Sequence, residues 1–373
     1  MYYEKGRFAK QAHVGLPEGT VEEEYGRNGF FGAVSHLYRP QPPVAWTDID
    51  GELKPEAFNT NDLDHLGTGD FLTGRIHMLY NNDISIAMSI LEPNAGMMDF
   101  CYRNADGDEI LFVHAGTGRL STDFGDVIYE KGDYLVIPRG CVYQVIPSEK
   151  TALLVIESVG EVKQPERGML GHNALYDQGV IKVPCPTARL AADPSQTEWK
   201  LKIKRRNNIT TVTYPFNPMN AIGWKGTLTV WQLNIRDIRP VSSERYHLPP
   251  SVHTTFVLRN AVVCSFLPRP LETGDPVALR VPFFHSNIDF DEVLFYHDGN
   301  FFSRKGIDSG MITFHPQGIH HGPQPGAEKT AETKTHTDEK AVMIDTRYPL
   351  EMTAAAKKIC RTDYWKSWMG YLH

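Results

Sequence analysis

An internal repeat limits the possible folds of this chain more than any other feature of its sequence. The segment from Tyr102 to Gly116 matches the segment from His285 to Gly299 at an offset of 183 positions, and a second pair of segments matches at an offset of 178. The matched pairs are Asn104 and Asn287, Asp106 and Asp289, Asp108 and Asp291, Glu109 and Glu292, His114 and His297, and then Gly132 and Gly310, Pro138 and Pro316, and Gly140 and Gly318. A chain that carries the same two motifs twice is expected to fold into two similar units.

Short apolar runs separated by turn residues surround both copies of the repeat. Runs such as 84–90, 109–114, 134–138 and 152–157 accompany the first copy, and 254–258, 262–267, 292–296 and 311–314 accompany the second. Strands of this length, broken by Asn, Gly and Asp, predict antiparallel double-sheet jelly rolls. Two such units with a double motif are typical of a two-cupin chain, so we predict a mainly β protein with two cupin (jelly-roll) domains.

The segments outside the repeats set the predicted domain organisation. We predict an N-terminal arm (1–69), a first cupin (70–160), a connector (161–222), a second cupin (223–350) and a C-terminal tail with a short helix and an aromatic cluster (351–373). Aromatic residues of the arm are expected to cover a partner subunit or the barrel wall, or to pack on the arm's own domain. The polar stretch 326–340 is predicted to be a surface loop, either disordered or acting as a lid.

The differences between the two copies assign the chemistry to the second one. Tyr102 and Tyr143 occupy the positions that His285 and His321 occupy in the second copy, whereas a glutamate is kept in both. Two imidazoles and one carboxylate, with other coordination positions left open, form the facial set of non-heme Fe(II) oxygenases. We therefore predict that His285, Glu292 and His321 bind Fe(II) and that the first cupin is metal-free.

Two further histidines lie in the closing segment of the second copy. Alternate side chains of a strand face opposite sides, so only one of His320 and His321 is expected to point inward. The repeat favours His321, and His320 then points away or supports a ligand. His315 precedes His321 by six residues and shares its face. It is a proton donor, a substrate contact or a hydrogen-bonded core histidine.

Charge and composition exclude several function classes. A formal net charge of −7 argues against nucleic-acid or anionic-membrane partners. Five cysteines without a CxxC pair indicate reduced thiols. The N-terminal segment lacks a signal-peptide pattern, and no apolar run approaches the roughly 18 residues of a membrane span. These observations predict a cytoplasmic enzyme.

Several motifs together resemble the homogentisate 1,2-dioxygenases. They are the run 282–285 (PFFH) followed by Glu292, the closing run 315–323 (HPQGIHHGP), the upstream run 246–251 (YHLPPS) and the connector run 214–217 (YPFN). The resemblance implies an Fe(II) bicupin that uses O₂ to open an aromatic ring with para hydroxyls. In that family homogentisate gives maleylacetoacetate, and the subunits form homo-oligomers.

The resemblance also implies roles for individual residues. His285, Glu292 and His321 match the iron ligands of the family. His247, in its His-x-x-Pro-Ser context, matches the acid/base histidine beside the substrate hydroxyl, and His315 matches a second pocket histidine.

Three positions depart from the family pattern where substrate contacts are expected. Phe283 and Phe301 stand where tyrosines of the pocket wall are expected, and Arg304 stands where a lysine is expected. Arg304 either binds a substrate carboxylate through a bidentate contact or is a solvated surface residue. The lost hydroxyls leave the metal ligands intact but count against homogentisate itself, so the small aromatic substrate is either homogentisate or another hydroquinone-type ring.

Three alternative functions remain open at the level of sequence. A related cupin dioxygenase would open gentisate or a simple hydroquinone. A sugar-phosphate isomerase would use a His/Glu metal site with zinc and without O₂. A non-catalytic bicupin of the storage-protein type would lack a complete metal set.

Overall fold

The computed structural model describes residues 3–65, 69–93, 99–186, 196–281 and 283–372. Pro282, the first residue of one motif, lies outside these ranges. The strands within them are β1 (Val21–Gly26), β2 (Val34–Arg39), β3 (Glu56–Asn59), β4 (Arg75–Tyr80), β5 (Ile84–Leu91), β6 (Cys101–Asn104), β7 (Asp108–Ala115), β8 (Gly118–Thr122), β9 (Gly125–Tyr129), β10 (Asp133–Ile137), β11 (Val142–Pro147), β12 (Thr151–Ser158), β13 (Trp199–Arg205), β14 (Asn208–Tyr214), β15 (Trp231–Asn234), β16 (Thr254–Leu258), β17 (Ala261–Phe266), β18 (Phe284–Asn287), β19 (Asp291–Asp298), β20 (Met311–His315), β21 (Lys340–Thr346) and β22 (Glu351–Met352).

These strands form two jelly-roll barrels. A seven-stranded sheet in the order β15-β10-β7-β12-β5-β4-β22 faces a six-stranded sheet in the order β14-β13-β6-β11-β8-β9, and together they form the first barrel. A second six-stranded sheet in the order β16-β17-β21-β19-β20-β3 and a three-stranded sheet in the order β18-β1-β2 form the second barrel. The prediction of a mainly β chain with two cupin domains is confirmed.

The two barrels pack against each other through their larger sheets. Side chains alternate between the two faces of each strand. Ile110 and Phe112 of β7 point outward from the first barrel and pack against Val293 and Phe295 of β19, which point outward from the second. All four side chains are fully buried. The opposite faces of the same strands line the barrel interiors, and Glu292 lies on the interior face of β19.

Residues related by the repeat meet at this interface. The rings of Phe112 and Phe295 lie 6.3 Å apart, and Nδ1 of His114 lies 3.0 Å from Nδ1 of His297. Each pair is related by the same offset of 183 positions. Residues at equivalent positions of the repeat therefore face each other across the interface between the two barrels.

Segments outside the repeat add strands to both barrels. In the N-terminal arm, β1 pairs in parallel with β18 and β3 pairs with β20, so the arm completes the second barrel. The hairpin β13-β14 of the connector extends the first barrel through β6. β15 follows the predicted domain boundary at residue 223, but it pairs with β10 and so forms an edge strand of the first barrel.

Short helices follow the second barrel. The helix α1 (Ala327–Glu332) lies within the stretch 326–340 that was predicted as a loop, where buried Ala327 and Ala331 anchor it. The helix α2 (Ala354–Lys358) begins at the N-cap Thr353, and a 3₁₀ helix covers Tyr364–Leu372. In the part of the chain that the structure describes, none of the helices has the length and apolar character needed to cross a membrane.

Candidate metal centre

Backbone pairing brings the two histidines of the predicted site together. The amide of His285 donates to the carbonyl of His321 at 2.9 Å, and the amide of His321 donates to the carbonyl of His285 at 3.1 Å. This reciprocal pairing places both side chains on one face at close range. In the first barrel Tyr102 and Tyr143 pair in the same way, as the repeat predicts.

Both imidazoles are directed at one oxygen of Glu292. His321 Nε2 lies 3.4 Å and His285 Nε2 lies 3.9 Å from Glu292 Oε2. All three residues are buried, and potential ligand atoms of the three lie within 4.8 Å of one another. Neither Nε2 atom has a hydrogen-bond partner. Buried, unsatisfied ring nitrogens facing a carboxylate are the arrangement that a metal ion would satisfy.

Neighbouring groups fix the orientation of this set. His285 Nδ1 lies 3.1 Å from the carbonyl oxygen of Phe283, so Nδ1 carries the proton and Nε2 keeps its lone pair. The other oxygen of Glu292 accepts a hydrogen bond from His315 Nδ1 at 2.7 Å, and His315 Nε2 lies 3.3 Å from the hydroxyl of Tyr364.

This placement changes the interpretation of His315. The side chain is fully buried between Glu292 and Tyr364, and it is absent from the described lining of the pocket. His315 thus contacts the second oxygen of Glu292 and lies outside that lining, and its contact with a substrate stays a prediction.

The charges of the site are set by burial and by mutual contacts. Burial raises the pKa of Glu292, but the surrounding imidazoles of His321, His285 and His315 outweigh it and hold the pKa well below its usual range. Burial, with His285 nearby, lowers the pKa of His321 to about 3. A carboxylate beside a neutral imidazole is the protonation state that metal binding requires.

A pocket lies beside the candidate metal ligands. Its lining includes His285 and Glu292, together with His247, Phe283 and Arg304. Further lining residues that the sequence did not single out include Leu248, His253, Phe266, Arg269, Tyr296 and Glu339. The pocket thus combines an apolar wall with two guanidinium groups, two imidazoles and a carboxylate outside the candidate metal ligands.

His247 contacts the carboxylate of Glu272, a residue that no sequence motif identified. Its Nδ1 lies 3.2 Å from Glu272 Oε1, and both side chains are buried. Burial lowers the pKa of His247 and contact with Glu272 opposes that shift, with burial the larger effect. The hydrogen bond places the proton on Nδ1, so Nε2 is free to accept one.

The three predicted substrate contacts fall in different places. Arg304 Nη1 donates to the carbonyl of Gly322 at 2.8 Å, and its Nε is buried without a partner, so it is not a solvated surface residue. Phe283 lines the pocket. Phe301 is not among the lining residues, but it packs against Tyr296, which is, with ring centroids 4.8 Å apart.

Residues distant in sequence support the site from the two ends of the chain. His320 points away from His321, and its Nε2 lies 2.7 Å from Glu23 Oε1 of the arm. Trp368 of the tail donates through Nε1 to the carbonyls of Gly322 and Pro323, at 3.3 and 3.2 Å. Because these contacts join segments about 45 to 300 residues apart, no local pattern could have identified them.

The equivalent position in the first barrel holds a buried ion pair. Arg75 Nη1 donates to Glu109 Oε1 at 2.8 Å, and the hydroxyl of Tyr143 donates to Glu109 Oε2 at 2.7 Å. The Tyr102 and Tyr143 rings lie 5.3 Å apart and nearly perpendicular. A guanidinium thus faces the glutamate that corresponds to Glu292. A cleft of about 680 Å³ lies beside it, larger than the pocket at the histidines.

Fold and site together define a class, a two-barrel cupin with a candidate metal centre confined to its second barrel. Residues 44–235 match the family model for the N-terminal region of homogentisate 1,2-dioxygenase. A protein of Saccharolobus solfataricus, provisionally named a dioxygenase, is 33% identical over 388 residues, which cover 98% of each chain. Homogentisate 1,2-dioxygenase of Rhizobium leguminosarum is 26% identical over 74% of this chain and 64% of that enzyme. Among solved structures, salicylate 1,2-dioxygenase of Pseudaminobacter salicylatoxidans aligns with a TM-score of 0.37 and 9% identity over 84% of this chain and 89% of that chain.

The chain belongs to the homogentisate 1,2-dioxygenase family. The relatives named above are dioxygenases, which supports an enzyme of the oxygenase class.

Proposed function

We propose that this protein is an Fe(II)-dependent dioxygenase that uses O₂ to open the ring of a para-dihydroxylated aromatic, either homogentisate or a closely related hydroquinone. The observation that carries the proposal is the convergence of His285 Nε2 and His321 Nε2 on Glu292 Oε2 beside a pocket that contains His247 and Arg304. Homogentisate 1,2-dioxygenases among the relatives support the same chemistry.

The three candidate ligands suit Fe(II). His285 and His321 offer unpartnered ring nitrogens, and Glu292 offers a carboxylate oxygen, in a buried set that leaves other coordination positions open. When bound there, Fe(II) supplies adjacent positions for a substrate hydroxyl and O₂ and a route for electrons between them. His315 holds the second oxygen of Glu292 and so keeps the first directed at the histidines.

His247 is the proposed proton acceptor for the substrate hydroxyl. Glu272 holds the proton on Nδ1, and burial keeps the imidazole neutral, so Nε2 can take a proton from a hydroxyl bound in the pocket. The protonated ring would then be stabilised by the carboxylate of Glu272.

The guanidinium groups of the pocket are suited to a substrate carboxylate. Arg304 Nε is buried without a hydrogen-bond partner, whereas Arg269 Nη1 lies 3.9 Å from Glu339 Oε1, which also lines the pocket. A ring that carries a carboxylate, directly or on a short side chain, would accept a hydrogen bond from Arg304. Phe283 contributes an apolar wall against the ring face. This arrangement favours homogentisate or gentisate over an unsubstituted hydroquinone.

Oxygen uptake tests the proposal directly. Protein is loaded with Fe(II) under anaerobic conditions and then mixed with O₂ and one ring compound at a time: homogentisate, gentisate or hydroquinone. Product spectra identify ring opening. We expect stoichiometric oxygen uptake with one of the two carboxylate-bearing rings and little with hydroquinone. The Glu292→Ala variant is the control. Absence of uptake with all three rings would reject the proposal and favour an isomerase or a non-catalytic bicupin.

We also propose a cytoplasmic homo-oligomer. Large apolar side chains of the β1-β2 hairpin are exposed, with Phe31 at 59%, Tyr25 at 48% and Val34 at 46%. An exposed group of this kind is typical of a protein interface. Light scattering during gel filtration should give a mass above 42.1 kDa for the native chain. A Phe31→Glu variant should shift the mass toward that of one chain.

A further inference from the structure

The hairpin β1-β2 of the arm carries a second group of histidine and glutamate side chains next to the candidate iron site. Potential ligand atoms of His13, Glu24 and His36 lie within 4.8 Å of one another. Glu24 and His36 are cross-strand neighbours in the hairpin, and His13 approaches them from the preceding turn. We propose that these three residues bind a second divalent transition-metal ion.

Strand register explains why these side chains converge. Glu22 and Glu24 are two residues apart on β1 and share one face, and His36 lies opposite Glu24 on β2. Because β1 also pairs in parallel with β18, Glu24 lies level with His285 on the adjacent strand. The second group therefore occupies the same face of the three-stranded sheet as the first.

The distances suit coordination. His13 Nε2 lies 3.5 Å from Glu24 Oε2. Ligands at about 2.1 Å from a tetrahedral ion lie about 3.4 Å apart, so this pair already has the required separation. The ring centroids of His36 and His13 lie 5.2 Å apart, a separation that two imidazoles on one tetrahedral ion can have.

A carboxylate behind His13 completes the arrangement. Glu22 Oε1 contacts His13 Nδ1, which places a proton on Nδ1 and leaves Nε2 facing Glu24. Pairing of a ligand histidine with a second carboxylate is the usual support of metal sites in proteins. The Nδ1 atom of His36 lies 3.6 Å from Glu22 Oε1 and has no hydrogen-bond partner, so this imidazole faces the buried carboxylates without being hydrogen-bonded to them.

The charge balance points the same way. The side chains of Glu22 and Glu24 are 0% and 8% exposed, so two carboxylates are buried together. A divalent cation neutralises both while the two imidazoles stay neutral, whereas protonation of His13 alone neutralises one. Two imidazole nitrogens and a carboxylate favour Zn(II), Fe(II) or Co(II) over Mg(II) or Ca(II).

The position of the ion would connect the arm with the pocket. The ring of His13 stacks on Phe283 at 4.4 Å with an interplanar angle of 5°, and its centroid lies 6.4 Å from that of His247. Fixing His13 would therefore fix the pocket wall. The ion is assigned a structural role because the substrate pocket lies on the far side of Phe283.

Metal counting tests this site independently of catalysis. Chelator-treated protein is incubated with excess Co(II), desalted and analysed for metal and protein. We expect two Co(II) ions per native chain, one in Glu292→Gln, one in Glu24→Gln and none in the double variant. The surface variant Glu18→Gln, in the same arm, serves as the matched control and should retain two. His36→Gln gives a second route if Glu24→Gln does not fold.

The variant Glu292→Gln separates this proposal from the proposed function. One ion that remains in Glu292→Gln and disappears in the double variant supports the arm site, whatever the activity. A Glu292→Gln variant without bound Co(II) would show that the arm group is an ion-pair cluster only and overturn the proposal. If only the candidate iron site did not bind metal, the native chain and Glu292→Gln would instead each contain one Co(II) ion.

Discussion

At the scale of single residues, the two barrels share one backbone arrangement around the candidate site and differ there in a small set of side chains. His285 pairs with His321 through reciprocal hydrogen bonds, and Tyr102 pairs with Tyr143 at the equivalent place. The sequence predicted which copy carries the histidines, because the repeat compares equivalent positions directly. It could not predict that His315 lies behind Glu292, since a strand position specifies a face but not which neighbour a side chain contacts.

His247 is expected to be required for turnover but not for metal binding. His247→Ala removes the proposed proton acceptor without touching the candidate ligands, so Fe(II) content should stay at the native level while kcat falls by about 10²-fold or more. Glu272→Gln, which leaves the imidazole in place, should lower kcat less. Parallel iron analysis and oxygen uptake measure both effects. Native kcat in His247→Ala would remove this residue from the mechanism.

His315 is expected to act on the metal through Glu292. His315→Leu deletes the 2.7 Å hydrogen bond to Glu292, and loss of such an outer contact typically weakens metal binding by about 10- to 100-fold. Competition with a chromogenic chelator measures the affinity. His315→Gln, which can still donate, should recover part of the loss, and Tyr364→Phe, which removes only the 3.3 Å contact, should cost least. Equal affinities in all three variants would contradict this role.

At the scale of elements, both ends of the chain complete the second barrel. The arm supplies β1, β2 and β3, and the 3₁₀ helix Tyr364–Leu372 covers the loop after His321. Sequence patterns predicted the barrel strands but not these additions. A parallel pairing such as β1 with β18 joins residues about 260 positions apart, and nothing in either segment specifies its partner. The aromatic cluster predicted in the tail packs beside the candidate metal centre.

Trp368 is expected to couple the tail to the stability of the second barrel. The side chain is fully buried and donates to Gly322 and Pro323, so Trp368→Ala should lower the free energy of unfolding by about 3–5 kcal/mol. Trp368→Phe keeps an aromatic ring but loses the N–H donor, so it should lower the free energy of unfolding by about 1–3 kcal/mol. Urea titrations followed by fluorescence and circular dichroism measure both. A cost below about 1 kcal/mol for Trp368→Ala would show that the tail is not anchored by this residue.

At the scale of the whole molecule, the repeat places equivalent residues of the two barrels in contact. His114 and His297 share one hydrogen bond between their Nδ1 atoms, so one ring donates and the other accepts. Burial lowers the pKa of His114 to about 4 and, with His114 adjacent, that of His297 to about 3. Both rings are therefore neutral in the folded protein near pH 7.

This pair predicts a loss of stability in mild acid. In the unfolded chain both histidines bind protons below their ordinary pKa of about 6.5, whereas the folded chain resists protonation down to about 4. The contribution of this pair to the free energy of unfolding should thus be constant above pH 7 and fall between pH 6.5 and 4, by up to about 1.4 kcal/mol per pH unit for each histidine. Urea titrations over this range measure the slope. The double variant His114→Gln/His297→Gln should show a shallower slope, and an unchanged slope would assign the effect to other histidines.

Arg75 gives the first barrel a cation that is part of the polypeptide. A guanidinium bound to Glu109 cannot be removed by a chelator, exchanged for a competing ion or lost through oxidation, whereas a metal at Glu292 is open to all three. The first barrel therefore keeps its cation whatever the metal supply, whereas the proposed ion of the second barrel could be gained or lost. Because both barrels are held together by paired strands, a chain without iron would persist as an intact scaffold that could be loaded later without being synthesised again.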